Sequence, residues 1–122
     1  MSIEVLLVDE DQDVLDIVRT FLEQEDDLAV TSEADPETAL RRALGDGFDV
    51  VVSDYKMPGL TGVELCSELR REGADLPFLL FSAREPEDMQ QMAEEAGVTG
   101  VVQKGTGTEQ YRDLAERIRT AV

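Results

Sequence analysis

Four short apolar runs in this sequence are each followed by side chains that could act on a phosphate. In chain order these side chains are Asp9, Glu10 and Asp11, then Asp54, then Ser82, and finally Lys104. Carboxylates gathered at one place raise one another's pKa unless a cation lies between them. Oxygen ligands in a chain without histidine suit Mg²⁺, which keeps several waters and accepts a phosphate oxygen.

Ser82 and Lys104 complete a set of side chains suited to phosphoryl transfer. A lysine can hold one phosphoryl oxygen and a serine hydroxyl another, and positioning with charge neutralisation supplies most of the catalysis. Taken singly, each residue also has an ordinary explanation. Asp11 can cap a helix, Ser82 can form a turn, and Lys104 can be a surface charge. Their order along the chain is what favours a shared site.

The elements that must position these residues are short strands alternating with amphipathic helices. The apolar runs are Val5–Val8, Leu28–Val30, Val50–Val52, Phe78–Phe81 and Val101–Val102. Helical stripes separate them, at Val14, Val18, Phe21 and Leu22; at Leu40, Ala43 and Leu44; at Leu65, Cys66 and Leu69; at Met89, Met92, Ala93 and Ala96; and at Tyr111, Leu114, Ala115, Ile118 and Val122. This alternation predicts one α/β domain with a parallel sheet. In such a sheet the reactive side chains meet beyond the carboxyl ends of the strands.

Local signals support the same division into elements. Asp35-Pro36 is typical of a helix N-cap and first turn, and Pro86 of the start of the fourth helix. Three glycines follow helical stripes where a left-handed residue ends a helix, namely Gly45, Gly73 and Gly97. The chain of 122 residues therefore predicts a single domain spanning 1–122.

The composition narrows the cellular setting. No apolar run approaches the length of a membrane span, and the start of the chain has no basic segment typical of a signal peptide. The single cysteine, Cys66, excludes an internal disulfide and fits a reducing compartment. Cys66 lies in an apolar stripe and is expected to be a small buried hydrophobe. We therefore expect a soluble cytoplasmic protein with no membrane partner.

The net charge of −17 is the unusual feature. Such a field repels phosphates and anionic lipids, so direct nucleic-acid binding by this chain is not expected. The acids are spread along the chain, which favours a halophilic, salt-adapted source, because molar salt screens repulsion within about 3 Å. The alternative is an acidic face made for a basic partner.

Several motifs resemble those of response-regulator receiver domains of two-component signalling. They are Leu6-Leu7-Val8-Asp9-Glu10-Asp11, Asp54-Tyr55-Lys56-Met57-Pro58-Gly59-Leu60-Thr61-Gly62, Phe81-Ser82-Ala83 and Val102-Gln103-Lys104. They occur in that family's order and cover the whole chain. The resemblance implies a doubly wound, flavodoxin-like fold with five parallel strands in the order 2-1-3-4-5 and five helices. It also implies a phosphoprotein that takes a phosphoryl group from a histidine kinase and switches a downstream effector domain or protein.

Site roles follow from the resemblance, residue by residue. Asp54 resembles the phosphoacceptor, which forms an aspartyl phosphate, Ser82 the switch hydroxyl and Lys104 the phosphate-binding lysine. Asp9 and Glu10 resemble the acidic pair that binds Mg²⁺, with Glu10 as the direct ligand and Asp9 acting through water. Metal ligands would also come from Asp54 and from the backbone carbonyl of Lys56. Lys56 and Arg84 would flank the water that attacks the acyl phosphate. Such a domain is a signalling phosphoacceptor rather than an enzyme, because it promotes only its own phosphorylation and dephosphorylation.

Two positions depart from the family pattern. Lys104 is usually followed by proline, whereas here Gly105 follows. The position three residues before the lysine often carries an aromatic switch residue, and here it is Val101. The mode of output therefore stays open.

Two other functions compete with this one. A pseudo-receiver would serve as an interaction module without phosphorylation, but it usually lacks the acceptor or the acidic pair. A haloacid-dehalogenase-type phosphohydrolase would share the Asp-x-Asp of Asp9 to Asp11, but no later acidic pair follows Lys104. The domain could also be the N-terminal part of a longer protein.

Overall fold

The computed structural model describes residues 2–83 and 86–122. In that part of the chain five strands alternate with five helices. The elements are β1 (Ile3–Val8), α1 (Gln12–Leu22), β2 (Leu28–Glu33), α2 (Pro36–Gly45), β3 (Val50–Ser53), α3 (Gly62–Arg71), β4 (Phe78–Ser82), α4 (Pro86–Ala96), β5 (Gly100–Gln103) and α5 (Glu109–Ala121). No helix among the described residues is long and apolar enough to cross a membrane.

The strands form one sheet in the order β2-β1-β3-β4-β5, and every pairing is parallel. The predicted doubly wound fold is therefore confirmed. Val8 pairs with Ser53 across β1 and β3, and Ser82 pairs with Gln103 across β4 and β5. The residues that follow these paired positions therefore leave the sheet at the same edge. As a result, the ends of β1, β3 and β5 lie close together.

Each face of the sheet buries a separate apolar layer. Successive residues of a strand point to opposite faces, so Val5 and Leu7 join one layer while Leu6 and Val8 join the other. The first layer packs against the buried stripes of α1 and α5, and the second against those of α2, α3 and α4. Cys66 belongs to the second layer and is fully buried, as expected. Burial raises the pKa of its thiol.

Side-chain caps fix where several helices begin. The Asp11 carboxylate accepts from the backbone N–H of Asp13 at 2.9 Å, and Asp35 caps α2 by accepting from that of Thr38 at 3.1 Å. At α3, Thr61 accepts from Glu64 N while the Glu64 carboxylate accepts from Thr61 N. These caps satisfy backbone donors that have no partner within the helix, so they stabilise each first turn.

Some details of the helices differ from the sequence prediction. Gly73 and Gly97 are left-handed as expected, with φ of 85° and 84°, but Gly45 is not. Helix α2 runs through Gly45 because Asp46 continues the turn, its N–H donating to the carbonyl of Arg42, and the left-handed residue is Gly47. The apolar stripes are also narrower than predicted. Leu44, Met92 and Val122 are exposed.

Candidate functional site

The predicted site residues lie at the carboxyl edge of the sheet, where Lys104 bridges two acids. Asp9 directly follows β1 and Asp54 directly follows β3. Lys104 Nζ lies 3.5 Å from Asp9 Oδ2 and 3.6 Å from Asp54 Oδ1. Asp9 is buried, and the side chains of Asp54 and Lys104 are 20% and 23% exposed. The structure therefore brings together two acids and a cation that lie far apart in the sequence.

The electrostatics of Asp54 reflect this crowding. Burial raises the pKa of the Asp54 carboxyl above its ordinary value; the Lys104 charge opposes the rise and the Asp9 charge adds to it. Burial disfavours the charged form because the carboxylate loses hydration, and a second carboxylate nearby disfavours it further. The ionised form of Asp54 is therefore costly without more positive charge nearby.

The backbone around Asp54 holds the carboxylate in one orientation. The Asp54 N–H donates to the carbonyl of Val8 at 2.9 Å, which extends the β1–β3 ladder by one residue. The N–H of Tyr55 donates to Asp54 Oδ1 at 2.9 Å. Ser53 Oγ donates to the carbonyl oxygen of Asp54 at 2.8 Å. Ser53 cannot be recognised as a site residue from the sequence, because a serine at the end of an apolar strand carries no spacing signal.

Ser82 and Lys104 end neighbouring strands. Ser82 is 3% exposed, and its carbonyl accepts from the backbone N–H of Lys104 at 2.7 Å. Lys104 Nζ also lies 5.5 Å from the centre of the Phe81 ring, within the range of a cation–π contact. The backbone contact fixes where the Lys104 side chain starts, so its ammonium group can reach both acids.

Of the remaining predicted site residues, Glu10 lies in the loop that follows β1 and Lys56 in the loop that follows β3. Glu10 and Lys56 are exposed, whereas Met57 in the same loop is buried. Across residues 2–83 and 86–122, no three acidic, histidine or cysteine side chains converge tightly enough to form a metal site by themselves. Arg84, expected to flank the water that attacks the acyl phosphate, lies outside the described residues.

The donor chemistry nevertheless fits Mg²⁺. All the candidate ligand atoms are oxygens, which hard divalent cations prefer. The space beside Asp9 and Asp54 already attracts the ammonium group of Lys104, which shows that a positive charge is favoured there. Each carboxylate has only a distant ionic contact, at 3.5 and 3.6 Å, so neither is fully neutralised.

The positions that depart from the family pattern lie on the β5 side of the site. Val101 is half-buried against the second apolar layer, and Gly105 follows Lys104 in an exposed loop. Neither is left-handed, and there is no cis peptide bond in the described part of the chain. Tyr111 stacks on Phe21 with ring centres 4.5 Å apart, consistent with the packing role expected of it.

Comparisons with known proteins agree with this fold. The chemotaxis response regulator CheY4 of Vibrio cholerae is 28% identical and superposes with a TM-score of 0.83, covering 97% of this chain and 99% of that one. The response regulator domain of Thermotoga maritima CheB has a TM-score of 0.88 at 22% identity over 99% of this chain and 96% of its own, which supports the fold alone.

A sequence relative extends the comparison. The response regulator SaeR of Staphylococcus aureus is 31% identical over 83 residues, which is 68% of this chain but 36% of that protein. The chain thus spans about a third of the length of the curated relatives it matches. A family model described as "Response regulator receiver domain" matches residues 5–118. That match takes in every strand end described above, and the chain belongs to the response regulator receiver domain family.

Proposed function

We propose that this domain accepts a phosphoryl group on Asp54 from a histidine kinase and thereby switches an interaction surface. The observation that carries the proposal is the shared contact of Lys104 with Asp9 and Asp54 at the carboxyl edge of the sheet. An acid pair with one cation, beside a buried serine, matches what a phosphoryl group requires. The arriving phosphate brings the negative charge that Lys104 would bind, and Asp54 supplies the nucleophile.

The transfer assigns one role to each side chain. An oxygen of Asp54 bonds to phosphorus as the phosphorus–nitrogen bond of phosphohistidine breaks, and the ring nitrogen keeps the electron pair. Lys104 leaves its contact with Asp54 Oδ1 to pair with a phosphoryl oxygen. The Ser82 hydroxyl donates to another. These donors act where negative charge develops, which is where they lower the barrier most.

A divalent cation completes the charge balance in this proposal. Glu10 and Asp54 would hold Mg²⁺ with the Lys56 carbonyl, while Asp9 would act through a water ligand. When bound, Mg²⁺ supplies the positive charge that Lys104 alone cannot give to two carboxylates and a phosphoryl group. Asp9 is well placed for an indirect role, since its Oδ1 already accepts from the backbone N–H of Asp11 at 2.9 Å.

The partners proposed are those of a signalling module. A histidine kinase would be the donor and an effector domain or protein the recipient, while the acidic surface would repel nucleic acids. The domain would be a cytoplasmic phosphoacceptor rather than an enzyme with turnover. We propose that residues 1–122 form one receiver domain, and that the dispersed acids adapt it to salt.

Phosphorylation of wild-type protein and of Asp54→Asn tests the proposal. With acetyl phosphate and Mg²⁺, intact-mass measurement should show one added phosphoryl group in wild type and none in the variant. Asp113→Asn, which changes an exposed acid on α5, is the matched control and should still be labelled. Label that persists in Asp54→Asn would refute the assignment. Turnover of a generic phosphomonoester would instead favour a phosphohydrolase.

A further inference from the structure

The peptide unit between Asp54 and Tyr55 is held at both of its polar ends. Its carbonyl oxygen accepts a hydrogen bond from Ser53 Oγ at 2.8 Å. Its N–H, which belongs to Tyr55, donates to Asp54 Oδ1 at 2.9 Å. A peptide unit is planar and rigid, so fixing the carbonyl end also fixes the direction of the N–H. The Ser53 hydroxyl is therefore connected to the carboxylate through a single stiff group.

The start of α3 closes the other side of the same carbonyl. Gly62 is buried, and a Cβ atom built on it would overlap the carbonyl oxygen of Asp54. Its N–H donates to the carbonyl of Tyr55 at 2.7 Å. Helix α3 can approach this closely only because residue 62 has no side chain. The peptide between Asp54 and Tyr55 is thus confined between the Ser53 hydroxyl and the first residue of α3.

Ser53 itself is completely buried at the end of the central strand β3. A buried hydroxyl is costly unless it forms a hydrogen bond, and an apolar residue would be the ordinary choice in a strand of sequence Val-Val-Val-Ser. The Ser53 hydroxyl also lies 3.9 Å from the sulfur of Met57, a weak acceptor. Its short hydrogen bond is the one to Asp54, so the polar group at this position acts on the acceptor residue.

The orientation matters because the two carboxylate oxygens of Asp54 have different surroundings. Oδ1 accepts from the Tyr55 N–H and lies 3.6 Å from Lys104 Nζ. Across the described ranges 2–83 and 86–122, no hydrogen bond or ion pair reaches Oδ2. Holding one oxygen in this way presents the other to an incoming phosphorus, and small errors in such an alignment slow a reaction strongly.

We propose that Ser53 is a positioning residue for phosphoryl transfer. Its hydroxyl, acting through the Asp54–Tyr55 peptide, holds Oδ1 so that Oδ2 attacks phosphorus. With acetyl phosphate, the bond from Oδ2 to phosphorus forms as the bond from phosphorus to the acetate oxygen breaks. Acetate leaves with that electron pair. The inference rests on the proposed function of Asp54 and adds to it a residue that touches neither the donor nor the metal.

The test compares two serines whose hydroxyl oxygens are buried. Ser53→Ala removes the hydroxyl, and Ser53→Cys keeps the shape with a weaker donor. Ser32→Ala is the matched control, because Ser32 Oγ is buried and has no hydrogen-bond partner among the described residues. With acetyl phosphate at saturating Mg²⁺, both Ser53 variants should lose about three- to tenfold in maximal labelling rate, the factor expected for one hydrogen bond. The half-saturating donor concentration should stay unchanged.

Two further measurements separate positioning from packing. Ser53→Thr keeps the hydroxyl and should restore the rate to within about twofold, when variants are compared well below their unfolding temperatures. Amide exchange at Tyr55 in Mg²⁺-free protein should quicken in Ser53→Ala and Ser53→Cys but not in Ser32→Ala. This readout requires no phosphoryl donor, so it remains informative if labelling is slow.

The outcomes distinguish this inference from the function on which it rests. If wild type accepts no phosphoryl group, the proposed function of Asp54 fails. If wild type is labelled and Ser53→Ala is labelled equally fast with an unchanged Tyr55 amide, the positioning role is refuted. A folded Ser53→Thr that stays as slow as Ser53→Ala would also overturn it, because side-chain volume rather than the hydroxyl would then control the rate.

Discussion

Two cations at opposite edges of the sheet each lie beside two carboxylates, but the contacts differ. At the carboxyl edge, Lys104 Nζ lies 3.5 Å from Asp9 and 3.6 Å from Asp54. At the amino edge, Arg119 donates to both oxygens of Asp27 at 2.8 and 2.9 Å and to Glu25 at 2.7 Å. The first cation is shared loosely and can be drawn to a new anion. The second is held in a fork that ties α5 to the start of β2.

The carboxyl groups at the two edges also differ in the direction of their pKa shifts. The pKa of Asp54 is raised, mainly by burial, whereas that of Asp27 is lowered, mainly by its hydrogen bond from Arg119. A raised carboxyl pKa means that ionisation opposes folding, and a lowered one means that ionisation favours it. The carboxyl edge therefore carries an electrostatic cost that the amino edge does not.

The largest difference between the two cations should appear in phosphoryl transfer. Lys104→Met should slow labelling by acetyl phosphate about a hundredfold, because it removes a charge aimed at the developing negative oxygens. Arg119→Met should leave the rate unchanged, since the hydrogen bonds that Arg119 donates to Glu25 and Asp27 lie at the other edge. Time courses of intact mass at saturating Mg²⁺ measure both. Equal slowing of labelling in the two variants would show that both act through the stability of the fold and not through phosphoryl transfer.

The next difference concerns Mg²⁺. Saturating Mg²⁺ should raise the stability of wild type, by about 2.7 kcal/mol at a hundred times the dissociation constant, because it binds only where Asp9, Glu10 and Asp54 are gathered by folding. Glu10→Gln should weaken binding at least about tenfold, by the loss of a charged ligand. Glu25→Gln, which removes an acid at the other edge, should not. Thermal melts across a Mg²⁺ titration decide this, and coincident wild-type melts with and without Mg²⁺ would contradict it.

A smaller effect is expected on the melting temperature, which should shift in opposite directions when one acid at each edge is replaced. In Mg²⁺-free buffer near neutral pH, Asp54→Asn should raise the melting temperature by a few degrees, because it removes a partly buried charge beside Asp9. Asp27→Asn should lower the melting temperature, since Arg119 loses a charged partner. Calorimetry of both variants against wild type is the measurement, and shifts of equal sign would be inconsistent with the opposite pKa directions.

As pH falls, the effect of Asp54→Asn on stability should disappear before the effect of Asp27→Asn does. The folded-state pKa of Asp54 lies above its unfolded value, so its penalty is full above that raised pKa and disappears as pH falls towards the unfolded value of about 3.9. The folded-state pKa of Asp27 lies below its unfolded value, so its contribution persists to about pH 3.9 and is lost as pH falls further. Wild type and Asp54→Asn should therefore converge at a higher pH than wild type and Asp27→Asn.

The cluster of site residues at the carboxyl edge was more predictable from the sequence than the tight ion pairs at the amino edge. Strand ends are marked by local signals, an apolar run followed by acids, a serine or a lysine, and the parallel fold then brings these ends together. Arg119 and Asp27 are 92 residues apart and belong to no pattern. Their pairing depends on where α5 ends, which periodicity predicts only to within a turn.

Residues whose role depends on one hydrogen bond were also missed. Glu23, the residue directly after α1, has the sequence pattern of a solvated acid, yet its carboxylate accepts from the backbone N–H of Val30 at 3.1 Å. The hydroxyl of Ser53 finds its partner in the peptide that follows it. Both contacts depend on backbone direction at a turn or a strand end. Composition and spacing carry no information about that direction.

Salt should produce the smallest difference between the edges. Arg119 and its two acids are 36 to 40% exposed, so their attraction is screened and the penalty for Arg119→Met should shrink from dilute buffer to molar KCl. Wild type should meanwhile become more stable, because the same screening relieves repulsion from a net charge of −17. Unfolding midpoints of both proteins across a KCl series test the two trends. A wild-type midpoint that is flat in KCl would favour an acidic face made for a basic partner over adaptation to salt. If the loss of stability in Arg119→Met persists in molar KCl, Arg119 acts through packing of the aliphatic part of its side chain rather than through its charge.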